Sequence, residues 1–436
     1  MSETIYALSS ANGRAGVAVI RLSGTESVNA HKKLGGKDLQ PRIVSRETFI
    51  DPITQDPLDD GLALYFKAPK SFTGEDVVEL HTHGSTAVIN GVLAALSKMP
   101  GLRLAEPGEF SKRAFDNGKL DLTEAEGLAD LIEAETAEQR KAALSQLGGS
   151  LSQLYDSWRD RLIKSLAYIE ADLEFPDEEL ERDLLTESKP SLSALQEEII
   201  SHLDDDNRGE RLRQGVRVAI IGPPNAGKSS FINHMAQRDV AIVTDQAGTT
   251  RDVLEVHLDL GGYPVVLADT AGLRETEDKI EQEGVRRAIK WAENADLTIY
   301  MDDLTMFKGD FNQESADFYV LNKLDLGNKP ESCPENVYLM SISAKTGIKE
   351  LIEALKSRVA VLFSQGCVQG PALSRARHRD ALEKVRHHLG QSLGAEMLEL
   401  AAEDIRLAAR ELGRITGRVD VEDLLDVIFR DFCIGK

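Results

Sequence analysis

Eight residues, Gly222-Pro223-Pro224-Asn225-Ala226-Gly227-Lys228-Ser229, have the types and spacing of a phosphate-binding loop. They follow the apolar run Val216 to Ile221, which reads as a buried strand, and precede Ser230-Phe231-Ile232-Asn233, which reads as a first helical turn. Backbone N–H groups of such a loop, with the helix N-terminus, surround nucleotide phosphates. Contact with the nucleotide is expected from Asn225, Ala226, Gly227, Lys228, Ser229 and Ser230. Within it, Lys228 reaches the β and γ oxygens and the Ser229 hydroxyl ligates Mg²⁺. Downstream, the polar stretch Thr244-Asp245-Gln246-Ala247-Gly248-Thr249-Thr250-Arg251-Asp252 offers Thr250 as a second Mg²⁺ ligand. The strand Val265 to Ala268 then delivers Asp269-Thr270-Ala271-Gly272, where Asp269 holds Mg²⁺ through water and the Gly272 N–H senses the γ-phosphate. Asn322-Lys323-Leu324-Asp325 ends another apolar strand. The Asp325 carboxylate matches the N1–H and 2-amino donors of guanine and finds no such pair on adenine. Ser343-Ala344-Lys345 would cover the base. Five motifs in this order predict GTP hydrolysis and exclude a chance Gly/Lys/Ser turn.

Small GTPases often place a water-orienting Gln directly after Asp-Thr-Ala-Gly, but Leu273 stands there. Glu275, Glu277, Asp278, Glu281 and Glu283 follow as candidates, each also readable as a solvated residue. The loop carries no Arg that could serve as a finger, and Asn225 at its midpoint could help hold a monovalent cation instead. Elsewhere, Arg21 and Glu79 lie in or at the end of apolar strands, where an unpaired charge is costly. A structural ion pair, a solvent-facing position and a ligand site all fit them. His81 and His83 alternate on a strand and could face one metal, but no third ligand is near in sequence.

These residues need scaffolds, and 436 residues imply two or three domains. With 42% hydrophobic and 28% charged residues the chain can bury cores. A net charge of −22 argues against a broad basic nucleic-acid surface, so any RNA contact is local or shared with a partner. Cys333, Cys367 and Cys433 lie far apart, without zinc or disulfide spacing. No signal peptide opens the chain and no apolar run nears a membrane span, so a cytoplasmic protein without membrane attachment is expected.

Residues 1–118 alternate short β-rich runs with Gly and Pro, with a helix from Ala87 to Lys98, an α+β pattern. Thr123-Glu124-Ala125-Glu126 reads as a capping box opening a long helix, with Leu128, Leu131 and Ile132 starting its apolar stripe. From Leu147 through Leu151, Leu154, Trp158, Leu162, Leu166 and Ile169 to Leu173, apolar residues step by three or four along one helix face. The acidic stretch Glu170 to Asp183, interrupted by Pro176, marks a bend or loop, and Leu192 to Leu203 resumes the helical pattern. Helical spacing returns in Leu382, Val385 and Leu389, then in Ile405, Ala408, Leu412 and Ile415, and a last helix is expected from Asp420. Helices on both sides of a compact α/β unit suggest that the unit is an insertion between them.

The set Gly13 to Gly24 (Gly-Arg-Ala-Gly-Val-Ala-Val-Ile-Arg-Leu-Ser-Gly), Ser71-Phe72-Thr73-Gly74-Glu75-Asp76, Pro107-Gly108-Glu109-Phe110-Ser111, Asn117-Gly118-Lys119-Leu120-Asp121-Leu122, Gly248 to Asp252 and terminal Phe432-Cys433-Ile434-Gly435-Lys436 closely resembles the MnmE (TrmE) family of tRNA modification GTPases. The resemblance spans essentially the whole chain. It implies a multidomain α/β protein: an α+β tetrahydrofolate-binding and dimerising domain (1–118), an α-helical bundle domain in two parts (119–212 and 367–436), and an inserted Ras-like P-loop G domain with a doubly wound sheet (213–366). The implied reaction is potassium-dependent GTP hydrolysis that supports adding an aminomethyl or carboxymethylaminomethyl group to C5 of the tRNA wobble uridine. The implied partners are a second copy of the chain, tRNA, and the FAD-dependent MnmG (GidA) in a heterotetramer or larger complex. The carbon would come from 5,10-methylenetetrahydrofolate, with 5-formyltetrahydrofolate as its analogue.

By motif, the resemblance implies folate contacts at Arg21, Glu79, Lys119 and Lys436, which overrides the plainer readings of Arg21 and Glu79. It implies a potassium site at Asn225, Thr244, Gln246 and Thr249, magnesium ligands at Ser229 and Thr250, and a water-positioning role for Glu281 beside Lys228. The loop Ser9 to Gly16 lacks the Pro and Gly pair usual in the family, and Gln246 replaces a commonly apolar residue. Asp302 to Gln313 reads as a trimmed loop or helix. Cys433 fits either a reactive thiol or a small packing residue. The rival reading is a GTP-dependent binding switch in ribosome assembly, which predicts an RNA-binding module and no folate site.

Overall fold

The computed structural model describes residues 3–174, 184–238, 240–242, 255–269, 293–307, 316–330, 332–334, 336–364 and 371–419, together with 425, 428–430, 432, 434 and 435. The chain forms two compact units, Met1–Ala129 with Gln146–Asp160 and Ala409–Lys436, and Asp130–Ser145 with Arg161–Ala408.

In the first unit, alternating apolar runs form β1 (Thr4–Leu8), β2 (Ala15–Ser23), β3 (Ser45–Ile50), β4 (Pro57–Phe66), β5 (Val77–Gly84) and β6 (Leu102–Leu104). They make one sheet in the order β3-β4-β5-β2-β1-β6, antiparallel except where β6 joins β1. Helix α1 (Ser27–Lys33) with its C-cap Leu34, and helix α2 (Thr86–Ser97), supply Ala30, Leu34, Val92 and Leu96 to a core shared with Ile20, Leu22, Phe49, Val78 and Leu80. The expected helix at Ala87 is present one residue earlier, because the Ser85 hydroxyl accepts the Val88 N–H at 3.2 Å and caps it. Two short helices follow, α3 (Glu109–Asp116) and α4 (Leu122–Glu133).

The start of α4 corrects the sequence reading. Asp121, two residues before Thr123, is the cap: its Oδ1 accepts the Glu124 N–H at 2.9 Å while Glu124 Oε2 accepts the Asp121 N–H at 2.9 Å. Thr123 is buried instead, its hydroxyl 2.8 Å from that of Ser152. The shifted start turns Leu122 and Ala125 inward and leaves Ile132 exposed. Nor is the helix long: it ends at Glu133, and α5 (Ala137–Leu147) and α6 (Ser150–Glu174) are separate elements. The stripe read along α6 is real, with Leu151, Trp158, Leu162 and Ile169 buried, although Leu147 belongs to α5.

In the second unit, α7 (Leu184–Leu203) and α8 (Arg208–Gln214) lead into β7 (Val216–Ile221) and α9 (Lys228–Ala236). The sheet is completed by β8 (Glu255–Leu260), β9 (Tyr263–Asp269), β10 (Leu297–Asp303), β11 (Phe318–Asn322) and β12 (Val337–Leu339), and α10 (Ile348–Ser364) packs on it. Its order is β12-β11-β10-β7-β9-β8, parallel except for the β8–β9 hairpin. A parallel sheet with the first strand central places the β7–α9 turn at the crevice where connections part to either side, the usual ligand position in such sheets. Asp302 and Asp303 end β10 rather than opening a loop, which corrects part of the Asp302–Gln313 reading.

After α10 come α11 (Ala376–Gly394) and α12 (Leu398–Thr416), with Leu382, Val385, Leu389, Ile405, Ala408, Leu412 and Ile415 all buried as their spacing predicts. Helix α7 packs along α11 through faces carrying Leu192, Leu195 and Ile199. The bend at Pro176 and the helix start at Asp420 lie outside the described residues. Among the described residues no helix is long and apolar enough to cross a membrane.

Candidate functional site

The loop between β7 and α9 lines a cleft of about 760 Å³ together with Asn322, Lys323, Leu326, Ile342 and Ser343. Gly222, Asn225, Gly227, Lys228, Ser229 and Ser230 all face this cleft, while Ala226 is buried beneath it. The loop is built for close approach. Gly227 has φ +103°, and a Cβ there would stand 2.2 Å from the Asn322 amide nitrogen. That Asn322 amide, 4% exposed, donates to the Ala226 carbonyl at 2.8 Å, and its oxygen accepts the Ile342 N–H at 3.3 Å. One side chain thus ties the phosphate loop to the two base-reading segments. The Lys228 ammonium donates to the carbonyls of Gly222 and Pro223 at 2.7 and 2.8 Å, so it is held at the loop's mouth. Ser229 and Ser230 are exposed in the first turn of α9, where backbone N–H groups and the helix dipole favour an anion.

At the base end, Asp325 Oδ1 accepts the Ser341 hydroxyl at 2.5 Å and Oδ2 accepts the Ser343 hydroxyl at 3.1 Å. The Ser341 bond, opposed by a smaller burial penalty, holds the carboxyl below the usual range, so it is ionised as a guanine reader must be. The Ala344 N–H donates to Ser341 at 3.0 Å, and Lys345 adopts φ +56° in the turn that follows β12. Lys323 adopts φ +66° and its ammonium pairs with Asp303 at 2.5 Å. Burial pushes the Asp303 carboxyl up, but the bonds from Lys323 and Thr305 outweigh it and lower the pKa. Asp303 was not legible as a site residue, since only the β10–β11 register sets it beside Asn322.

The fit to a guanine nucleotide is therefore good at both ends of the cleft. A Cβ-free cradle and a lysine face the phosphates, and an aimed carboxylate faces the base. For Mg²⁺, the Ser229 hydroxyl is a suitable hard donor beside that cradle. The side chain of Asp269, which ends β9, is not described. Thr244, Asp245, Gln246, Ala247, Gly248, Thr249, Thr250, Thr270, Ala271, Gly272, Leu273, Glu275, Glu277, Asp278, Glu281 and Glu283 lie outside the described residues.

In the first unit, the Arg21 guanidinium on β2 pairs with Glu79 on β5 at 3.0 Å, as the register that puts the two opposite each other requires. It also lies against the rings of Phe72 and Phe110, at 5.4 and 5.7 Å from their centroids. Both groups remain partly exposed, with side chains 22% and 15% accessible. Lys119, exposed after α3, runs past Gly74, two residues from Phe72. The chain's end docks nearby: Ile434 bridges to Pro107, and the Ser9 hydroxyl donates to the Gly435 carbonyl at 2.8 Å. Gly435 has φ +94° and a Cβ there would stand 2.1 Å from the Leu8 carbonyl, so only glycine fits. Phe429 and Phe432 anchor this tail against Leu122 and Ala125. Cys433 and Lys436 lie outside the described residues.

The two histidines on β5 do not converge. His81 Nε2 lies 3.4 Å from Glu79, whereas His83 Nδ1 lies 2.8 Å from Asp59. Among the described residues no group of three His, Cys, Asp or Glu side chains could hold a metal.

The family described as "GTP-binding protein TrmE N-terminus" matches residues 4–119, and "MnmE helical domain" matches residues 122–433. A protein of Parvibaculum lavamentivorans named tRNA modification GTPase MnmE is 56% identical over 442 residues, covering all of both chains. Its namesake in Paramagnetospirillum magneticum is 52% identical over 445 residues, again end to end. A Danio rerio protein named 5-taurinomethyluridine-[tRNA] synthase subunit GTPB3, mitochondrial, is 46% identical over all of this chain and 93% of its own.

Proposed function

The chain belongs to the MnmE family of tRNA modification GTPases, and from that premise we propose how its GTP hydrolysis is used. With the FAD-dependent MnmG (GidA) as partner, a cytoplasmic homodimer of this chain installs an aminomethyl or carboxymethylaminomethyl group at C5 of the wobble uridine of certain tRNAs. The methylene carbon comes from 5,10-methylenetetrahydrofolate. The observation that carries this reading is end-to-end identity of 56% and 52% to relatives named for tRNA modification, in a chain whose Asn322 and Asp325 are arranged for guanine. The Danio rerio relative's name, a subunit of a uridine-modifying synthase, supports both a modified uridine and a partner.

In this reading residues 1–118 bind folate and dimerise, 119–212 and 367–436 form the helical domain, and 213–366 form the inserted G domain. Packing of α7 on α11 supports the joining of the two helical parts. The Lys228 ammonium exchanges the Gly222 and Pro223 carbonyls for β- and γ-phosphate oxygens. Bound Mg²⁺ and K⁺ supply the positive charge that a finger arginine gives elsewhere. Ser229 and Thr250 hold the first ion, and Asn225, Thr244, Gln246 and Thr249 the second. Glu281 orients the attacking water. At the other site Arg21, Glu79, Lys119 and Lys436 contact the folate.

The test is mass spectrometry of wobble nucleosides in tRNA from cells lacking the protein, complemented with wild type or Lys228→Ala. Loss of the 5-aminomethyl-type uridines, restored by wild type alone, is expected. Removal of the Lys228 charge should lower kcat for GTP by about 10²- to 10³-fold. Unchanged nucleosides would overturn the reading in favour of a GTP-dependent binding switch in ribosome assembly.

A further inference from the structure

Arg113 belongs to no nucleotide motif, yet it lies where the elements carrying Arg21, Phe72 and Phe110 meet. It is buried in α3. One terminal nitrogen donates to Glu75 Oε2 at 2.9 Å and to the Ser23 carbonyl at 3.4 Å. The other donates to the Glu3 carbonyl at 2.8 Å and to Glu109 Oε1 at 3.1 Å. Glu109 is fixed in turn by Arg103 and by the Glu106 N–H. Burial pushes its carboxyl up, but these bonds outweigh that and hold it ionised.

The contacts to Glu75, Ser23 and Glu109 bear on the surroundings of Arg21. Glu75 closes the loop that carries Phe72: its carbonyl accepts the Ser71 hydroxyl at 2.5 Å and its carboxylate accepts the Ser23 hydroxyl at 2.7 Å. Ser23 is two residues from Arg21 on the same strand, and its hydroxyl lies 2.7 Å from that of Thr73. Glu109 adjoins Phe110. Asn117, at the end of α3, donates to the Thr73 carbonyl at 2.8 Å, two residues before Lys119. The two rings against the Arg21 guanidinium therefore come from separate elements: Arg113, on the helix that carries Phe110, joins it to the Phe72 loop through Glu75, while its bond to Glu109 one turn earlier in α3 holds the guanidinium in place. A planar fork of donors can span both carboxylates and two carbonyls at once, which a single ammonium cannot.

We infer that Arg113 is a positioning residue for the folate site: it fixes the spacing of Phe72 and Phe110 and so the place of Arg21 between them. The inference rests on the folate reading above. A site loosened in its supporting contacts loses affinity for its ligand while the fold persists.

The experiment measures binding of 5-formyltetrahydrofolate to the full-length protein by calorimetry, for wild type, Arg21→Ala, Arg113→Lys, Glu75→Gln and the Arg113→Lys/Glu75→Gln pair. Arg113→Lys should weaken binding by about tenfold or more, and the pair should lose no more than the stronger single change. GTP hydrolysis should be unaffected. In the modification reaction, KM for the folate donor should rise while kcat at saturating donor is retained, a split that general destabilisation does not produce. If Arg113→Lys does not fold, Glu75→Gln carries the test, because it removes one charge and leaves the arginine in place. Folate binding by wild type that is lost in Arg21→Ala but unchanged in Arg113→Lys and Glu75→Gln would overturn the inference and leave the folate reading standing. No binding by wild type would remove both.

Discussion

A carboxylate that reads two donors on a base must be ionised and aimed before the base arrives, and Asp325 meets both conditions through Ser341 and Ser343. Its chemistry gives a sharp prediction. Asp325→Asn presents an N–H₂ where guanine carries its own amino group, but xanthine has a carbonyl there. Affinity for GTP should fall roughly 10- to 100-fold, the worth of a charge-assisted hydrogen bond, while affinity for XTP rises. Competition against a fluorescent GDP analogue reads both, and unchanged GTP binding would contradict the assignment. This residue was legible because Asn322, Lys323 and Asp325 act from one short segment whose spacing is fixed by the strand end. Asp303 and Arg113 were not, since Lys323 stands 20 residues from Asp303, and the Glu75 that ties Arg113 to the Phe72 loop stands 38 residues from it, so only strand register and helix packing unite them. The pairing of Arg21 with Glu79 falls between these cases: the sequence marked each charge as anomalous in an apolar strand, and the antiparallel register of β2 on β5 supplied the partner.

Among elements, helices with long apolar stripes were read correctly, because three-to-four spacing over many turns leaves one face to bury. The start of α4 was misread because two overlapping sequences, Asp121-x-x-Glu124 and Thr123-x-x-Glu126, both suit a capping box, and burial of Thr123 beside Ser152 decides between them. Asp121→Ala should therefore destabilise the protein by about 1–2 kcal/mol and speed amide exchange in the first turn of α4, as urea titration and hydrogen exchange would read. Helix α7 carries a second test. His202, 4% exposed, has its pKa lowered to about 4, by burial first, then by the nearby His378 and Arg379 charges against the opposing pull of Asp205. Its folded pKa lies below the unfolded value, so the neutral ring's stabilisation is complete above about pH 6.5 and is lost as pH falls toward 4. Between pH 7.5 and 5 this group alone should cost ~2 kcal/mol. His202→Leu should flatten the dependence of Tm on pH over that window. A variant as acid-sensitive as wild type would place the titration elsewhere.

For the whole molecule the governing quantity is charge. The net charge is −22, which the proposed homodimer would double, yet the proposed substrate is a polyanion. Many of the cations are already committed: Arg113, Arg211, Arg213, Arg375 and Arg379 are bound to carboxylates within their own units, and Arg161, Arg406 and Arg418 pair at the surface. Two arginines on Asp130 and two carboxylates on Arg379 show, among the described residues, cations used to hold segments of the fold together rather than to meet phosphates. A protein that grips RNA through many phosphates loses affinity steeply with salt, with a slope near −0.9 for each phosphate neutralised on a duplex. For this chain alone the slope of log K against log salt should be no steeper than about −3, with Kd for tRNA in the non-specific range of roughly 10⁻⁴ to 10⁻⁶ M at physiological salt. Adding the proposed FAD-dependent partner should both tighten binding and steepen the slope, because on that proposal the further cations come from it. Filter binding of labelled tRNA across a salt series, with and without the partner, separates the cases. A slope near −6 from the isolated chain would mean that its folded surface concentrates cations that the sequence total conceals.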